Sequence, residues 1–324
     1  MKAVKFERYG DESVLRFKDM PRPQPKSNEV LVEIHSTTVT PTDVSFRAGN
    51  PCIVRLYLGL FRPKIQVLGT EFSGVVAGMG DRVSGFEIGD QVFGAPADGT
   101  GAHAQYICLP AKGAICKIPE NMTLAEAAAI CSGGLTALPF LRDNGRIKKD
   151  DKVLIIGASG SIGSMAVQMT KHFGAHVTGV CSARNVEMVC ALGADRVIDY
   201  TVADFASEGT QYDIIFDTVA KSSFAKARAA LVPKGVYLVT APSFPTIFHM
   251  LRGAVFGGKR AVMAATGLRA EVEQRADLEQ LKQWIEDGVL EVAIDRRYPL
   301  AQIAEAHAFV ATQRKRGNVL VAMA

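Results

Sequence analysis

A chain of 324 residues, 48% hydrophobic and 22% charged, is long enough for two cores and too apolar to be read as disordered. Its net charge of +4, from 37 basic and 33 acidic residues, is too mild for nucleic acid as the main partner, although it would not repel an anionic ligand. Six cysteines with no C-x-x-C pair and no regular spacing argue against a disulfide framework and suit reduced thiols.

The first residues, "MKAVKFERYG", alternate as a strand does and lack the apolar stretch of a signal peptide. No apolar run reads as long enough to cross a bilayer, so the expectation is a cytoplasmic protein without a transmembrane segment. Through residue 120 short strand-like pieces such as "EVLVEIHS" and "FSGVVAG" are broken by turn signals such as "GD", which predicts an irregular, barrel-like β-rich domain over 1–120. Inside it lies the apolar loop "CIVRLYLGLFRP". Its Leu56, Leu58, Leu60 and Phe61 suit a bulky hydrophobic substrate at an entrance, with a dimer contact or a membrane-surface touch as the other readings.

From about Leu124 the texture changes: "LAEAAAICSGGLTAL" begins a helical stretch, and apolar strands then alternate with amphipathic helices. The strands are "KVLIIG", "HVTGVC", "RVIDY", "YDIIFDTV", "GVYLVT" and "RAVMAA". Near-continuous apolar strands separated by helices predict a parallel sheet covered on both faces, a doubly wound α/β domain over 121–266. After Gly267 the alternation stops, and 267–324 supplies a helix at "DLEQLKQWIEDGVL", another near "LAQIAEAHAFVATQ" and a closing strand "NVLVAMA". His307 shares a helical face with Ile303 and Val310 and reads as a packing histidine.

The stretch "KVLIIGASGSIG" follows an apolar strand with a run that can hardly pack a core. Small residues there let the backbone approach a bound group while helix amides face it. Gly157 is followed by Ala158, Ser159, Gly160, Ser161, Ile162 and Gly163, in which Ala158, Gly160 and Gly163 make A-x-G-x-x-G, a relaxed dinucleotide fingerprint. At the end of the second strand, "GVCSARN" has no acid before Glu187 to accept from a ribose 2′-hydroxyl. Ser182 and Arg184 suit a 2′-phosphate, which favours NADPH over NADH; the alternative leaves Arg184 as a solvated helix-start residue.

Together with the order of domains, "LGTEFSGVV", "GDQVFG", "GLTAL", "GASGSIG" and "FDTVAKSSF" resemble the medium-chain dehydrogenase/reductase superfamily. The resemblance implies an α/β fold with a GroES-like β-rich catalytic domain (1–120), a doubly wound Rossmann NADP-binding domain (121–266) and a return segment (267–324) that completes the catalytic domain. Where zinc alcohol dehydrogenases of that superfamily place catalytic ligands, this chain has Thr40, Thr70 and Ser132, and the four-cysteine lobe is missing. Three hydroxyls are not a zinc set, so no metal is expected. The chain thus resembles the zinc-independent quinone oxidoreductase-like branch. "RLYLGLFRPKIQVLGTEFSG" and the residues from "IDRRYPLAQ" onward resemble its subgroup of reticulon-interacting mitochondrial and chloroplast-envelope homologues.

That resemblance implies cofactor contacts at Thr136, the Gly157 to Gly163 turn, Ser182, Arg184, Tyr200, Val219, Thr240, Pro242 and Asn318. Around the reacting atoms it implies Thr40, Asp43, Thr70 and Glu71. Asp43 and Glu71 read equally as buried hydrogen-bonded supports. Many quinone reductases have Tyr where this chain has Ser45, so the proton donor stays open between Tyr57, near in sequence, and water. Without a Lewis acid the simplest chemistry is hydride transfer from NADPH to a quinone or a similar electrophilic carbonyl. An enone or enal reductase and a non-catalytic NADPH-binding regulator are the alternatives. A homodimer is implied as well, through an edge strand that "RAVMAATG" would provide.

Overall fold

The computed structural model describes residues 1–97, 99–241, 258–264 and 266–323; Pro242 lies outside the described residues. The chain forms two compact units, one of Met1–Ser132, Gly267–Glu286 and Val292–Ala324, the other of Gly133–Thr266 and Asp287–Glu291.

The first unit opens with β1 (Lys2–Lys5), β2 (Arg16–Asp19) and the ten-residue β3 (Glu29–Thr38), followed by helices α1 (Pro41–Ala48) and α2 (Ile53–Leu58). Strands β4 (Phe72–Met79), β5 (Gln91–Gly94), β6 (Tyr106–Pro110) and β7 (Ile115–Lys117) complete the N-terminal share. β3 is the hub: it pairs antiparallel with β4 and β6 and, at its carboxyl end, with a strand from the far end of the chain. Val30, Val32 and Ile34 on β3 pack with Phe72, Val76, Val92 and Ile115 into one buried cluster, the period-2 signature that made this segment readable.

Short helices α3 (Leu124–Ala127) and α4 (Cys131–Pro139) lead to the second unit. By length and composition the helical run Leu124–Gly145 is apolar enough to cross a bilayer, against the sequence expectation, but 67% of its most apolar window is buried inside the protein, as in a core helix.

The second unit contains β8 (Lys152–Ile156), α5 (Ser161–His172), β9 (His176–Cys181), α6 (Val186–Ala191), β10 (Arg196–Asp199), β11 (Tyr212–Asp217), α7 (Phe224–Ala227), β12 (Leu231–Val239) and β13 (Arg260–Met263). The strands are all parallel in the order β10-β9-β8-β11-β12-β13. Val153, Leu154, Ile155 and Ile156 are all buried, as a strand covered on both faces requires. Strand order reverses between β8 and β11, which in such sheets marks the ligand-binding edge.

The return segment supplies the helix Glu271–Glu286, β14 (Ile294–Pro299), the helix Ile303–Ala311 and β15 (Asn318–Ala322). β15 joins β3 of the first unit and β14 pairs parallel with β15. β14 is absent from the sequence-predicted strands because "IDRRYP" is an edge strand with Arg296 and Arg297 exposed, and carries no apolar run.

Candidate functional site

In the parallel-sheet unit, the expected cofactor positions from Gly157 to Thr240 follow the carboxyl ends of five adjacent strands. Gly157 leaves β8 at φ 81°, a left-handed conformation, and a Cβ there would stand 2.6 Å from Val219 Cγ1. Gly163 has a different reason: a Cβ would lie 2.1 Å from the Gly157 carbonyl oxygen, so only glycine lets α5 sit this close to the turn. At Gly160 the nearest atom to such a Cβ is 3.4 Å away, which leaves that glycine's small size to be explained by something outside the chain. Gly160 is also the N-cap of α5 and brings no capping side chain. First-turn amides of a helix lack intrahelical partners, so this end is suited to an anion.

Ala158 is fully buried, and Ser159 and Ser161 nearly so. Ile162 is half-buried while Met165, Ala166 and Met169 on the same helix go into the core. Beyond β9, Asn185 joins the two turns by donating to Ser159 Oγ (2.9 Å) and Ser182 Oγ (3.3 Å). Its own Oδ1 is buried without a hydrogen bond. Arg184 is exposed. After β10, Tyr200 is 64% exposed, with its amide donating to Cys181 O at 3.1 Å. After β11, Val219 is half-exposed, and after β12 Thr240 Oγ1 donates to Thr218 O at 3.2 Å. Thr136 is half-buried on α4.

The β-rich unit brings together a second group. Thr40 is the N-cap of α1 and forms a reciprocal capping box with Asp43. Thr40 Oγ1 and N both reach Asp43 Oδ2, at 2.6 and 2.8 Å, while Gly69 N donates to Asp43 Oδ1 at 2.9 Å. Asp43 is thus a fully buried support whose acceptors are taken up by its own unit. With its proton directed at Asp43, Thr40 Oγ1 is left as an acceptor facing Thr70 Oγ1 at 3.4 Å. Thr70 is the more exposed of the two hydroxyls.

Glu71, also fully buried, accepts from Thr38 Oγ1 and from Ser132 N (2.5 Å). Burial pushes its carboxyl up to about 7, against the pull of those two hydrogen bonds and of Lys315. Lys315 donates to Gly317 O (2.5 Å) and is pushed down to about 8 by burial, with Glu71 and Asp295 opposing. His103 Nε2 donates to Thr38 O at 3.0 Å and meets the edge of the His307 ring at 5.5 Å; His307 is fully buried, as its packing face implied, but neither of its ring nitrogens has a hydrogen-bond partner among the described residues, so it packs without being satisfied. No motif in the sequence singles out Thr38, His103 or Lys315. Only the hydroxyl-rich run "STTVTPTD" hints at such a network.

Three further expected residues have these local settings. Tyr57 stands half-exposed on the outer side of α2, its ring 6.1 Å from that of Phe46. Asn318 is buried at the start of β15 with its side chain donating to Ala293 O at 3.1 Å. Leu58, grouped with its neighbours as an entrance residue, is fully buried, whereas Leu56, Leu60 and Phe61 are exposed: helix phase separates residues that composition treats alike.

The donor set at Thr40, Thr70 and Ser132 does not fit zinc, which takes thiolate, imidazole or carboxylate. Among the described residues no group of three or more His, Cys, Asp or Glu is placed to hold a metal ion. Cys131, next to Ser132, is 1% exposed and burial pushes its thiol up, which disfavours the thiolate a metal would need.

Residues 26–120 match the family described as alcohol dehydrogenase GroES-like domain, and residues 192–321 match that described as zinc-binding dehydrogenase. A mitochondrial NAD(P)H oxidoreductase of Mus musculus is 30% identical, the match covering 99% of this chain and 89% of that one. The structure of a quinone oxidoreductase from Coxiella burnetii is 28% identical with a TM-score of 0.89, covering 100% of this chain and 99% of the other. A mycobacterial structure complexed with NADPH is 26% identical with a TM-score of 0.84, at 99% of each chain.

Proposed function

Because the chain belongs to the quinone oxidoreductase-like branch of the medium-chain dehydrogenase/reductase superfamily, we propose that it is an NADPH-dependent oxidoreductase that reduces quinones without a metal. The observation that carries this reading is the carboxyl edge of the parallel sheet, where the Gly157 to Gly163 turn, Ser182 and Arg184 follow neighbouring strands. The turn and the bare N-terminus of α5 take the pyrophosphate, and Ser182 with Arg184 takes the 2′-phosphate. Tyr200, Val219 and Thr240 follow the other strands of that edge, and Thr136, Pro242 and Asn318 are carried as cofactor contacts on the resemblance alone.

When bound, NADPH supplies a hydride, and the chain's own part is to hold the acceptor and steady the charge that develops on its oxygen. Thr70 is the hydroxyl suited to steady that charge, by turning its single proton from Thr40 Oγ1, whose own proton is held by Asp43, to the acceptor's oxygen. Glu71 acts behind them, and Tyr57 or water gives the final proton. A quinone needs no metal for this, because it is already electrophilic. The six cysteines are free thiols, which supports a reducing, cytoplasmic setting, and among the described residues β13 lies at an edge of its sheet, where a homodimer would pair.

The test is a panel of quinones, enones and enals offered to purified protein with NADPH, with the products identified. Turnover confined to quinones supports the reading. Turnover confined to alkenes conjugated to carbonyls moves the protein to the enone reductases, and tight NADPH binding with no turnover on any of them makes it a regulator.

A further inference from the structure

We propose that the outer face of α2 and the loop after it, residues 52–64, form a docking surface for an anionic phospholipid bilayer. Helix α2 reads IVRLYL and is apolar on both sides. Leu58 points into the core and is fully buried, while Ile53, Leu56 and Tyr57, at the i, i+3, i+4 spacing of one face, are 59%, 75% and 50% exposed. Leu60 and Phe61 follow at 55% and 86%. An ordinary surface helix turns its polar side outward; this one does the reverse. Five of the eleven exposed large hydrophobic side chains among the described residues fall between positions 53 and 61, a clustering that single exposed residues do not show.

The exposed loop is held in place. Gly59, at φ 125°, donates to Arg55 O (2.8 Å), and its carbonyl accepts from Tyr9 Oη (2.5 Å). Lys64 N closes the loop on Leu58 O at 2.7 Å. Leu60 and Phe61 are therefore presented outward by a fixed backbone and need little ordering on contact.

Charge selects the occupant. Between Asp43 and Glu71 the sequence has no acidic residue and four cations, Arg47, Arg55, Arg62 and Lys64. Arg47 is buried and Arg55 is tied to Gly49 O and to the Tyr9 ring, but Arg62 and Lys64 are exposed beside Leu60 and Phe61. Apolar side chains with a cationic rim and a tyrosine are the chemistry of an interface with acidic lipid headgroups. A second copy of the chain fits less well: a two-fold contact through this segment would bring the cations of both copies together, with no acid in the segment to pair them. Six helical residues span roughly 9 Å, so the element lies on a bilayer and does not cross it. Such docking would bring a lipid-dissolved acceptor close, but the inference rests on the surface alone and not on the acceptor.

Full-length protein is floated on phosphatidylcholine vesicles with and without phosphatidylglycerol. The expected result is flotation with the phosphatidylglycerol vesicles only, weakened by salt and cut at least tenfold by L56S/F61S and by R62E/K64E, while V272S, an exposed change on the helix Glu271–Glu286, floats as the parent does. The second double variant changes only exposed side chains, and melting curves check that both variants fold. Absence of flotation in the parent protein, or flotation that neither double variant reduces, overturns the proposal. So does a dimer that sedimentation shows falling to monomer in L56S/F61S while the parent ignores vesicles, because the face is then a contact between copies.

Discussion

The carboxyl edge of the parallel sheet and the hydroxyl and carboxylate group of the β-rich unit are built by opposite means. The first is made almost entirely of backbone: glycines that no Cβ could replace at Gly157 and Gly163, and a helix end without a capping side chain. The second is made of side chains whose acceptors are already taken up, by backbone amides as well as by hydroxyls, with Asp43 taking three donors and Glu71 two. A backbone cradle leaves its polar groups facing outward for a ligand, whereas a satisfied side-chain network mostly holds one hydroxyl, Thr70, in position. The first region is therefore suited to bind, and the second to orient.

Substitutions sharpen the contrast, and the largest effect is expected in the cradle. Gly163→Ala sets a Cβ against backbone atoms of Gly157 and Ala158, and should raise the NADPH dissociation constant at least a hundredfold while lowering unfolding free energy by about 3 kcal/mol. Fluorescence titration and denaturant unfolding read the two numbers. Gly160→Ala has room for its Cβ, so it should melt like the parent and weaken only the nucleotide; equal melting losses in both variants would remove the distinction between packing and ligand approach.

In the network the leading effect is on pH. The folded carboxyl of Glu71 sits near 7 against an ordinary 4.5, so between those values the folded chain keeps a proton that the unfolded chain loses, and stability falls as pH rises. Relative to Glu71→Gln, which does not titrate, the parent should lose on the order of 3 kcal/mol between pH 4.5 and pH 8. Parallel unfolding curves for the two proteins across that range would refute the assignment.

Asp43→Asn should cost about 2 kcal/mol, since one amide cannot accept from Thr40 N, Thr40 Oγ1 and Gly69 N together; it should leave NADPH affinity untouched. The smallest change is Arg184→Ala: about tenfold weaker NADPH, or about 1.4 kcal/mol, with NADH binding unaltered. Equal losses for both nucleotides would take Arg184 away from the 2′-phosphate.

The same division decides how much of the molecule is legible in its sequence. Strands β8 to β13 announce themselves as apolar runs, and the cradle follows from a turn between a strand and a helix, so local rules suffice. The partners of Glu71 do not: Thr38 and Lys315 meet it through the pairing of β3 with β4 and with β15, Ser132 meets it from the start of α4, and no periodicity encodes that. Leu56 and Leu58 differ only in helix phase, so one apolar string contained both an exposed residue and a core residue. β14 is hidden for another reason, because an edge strand carrying exposed arginines has the composition of a loop.

The most direct test of a metal-free NADPH site is the initial rate of nucleotide oxidation with a soluble quinone, using NADPH and NADH in turn, before and after dialysis against a chelator. The structure leads us to expect a kcat/KM at least tenfold higher with NADPH and unchanged by chelation. Activity lost on chelation and restored by zinc, or an equal rate with NADH, would contradict it.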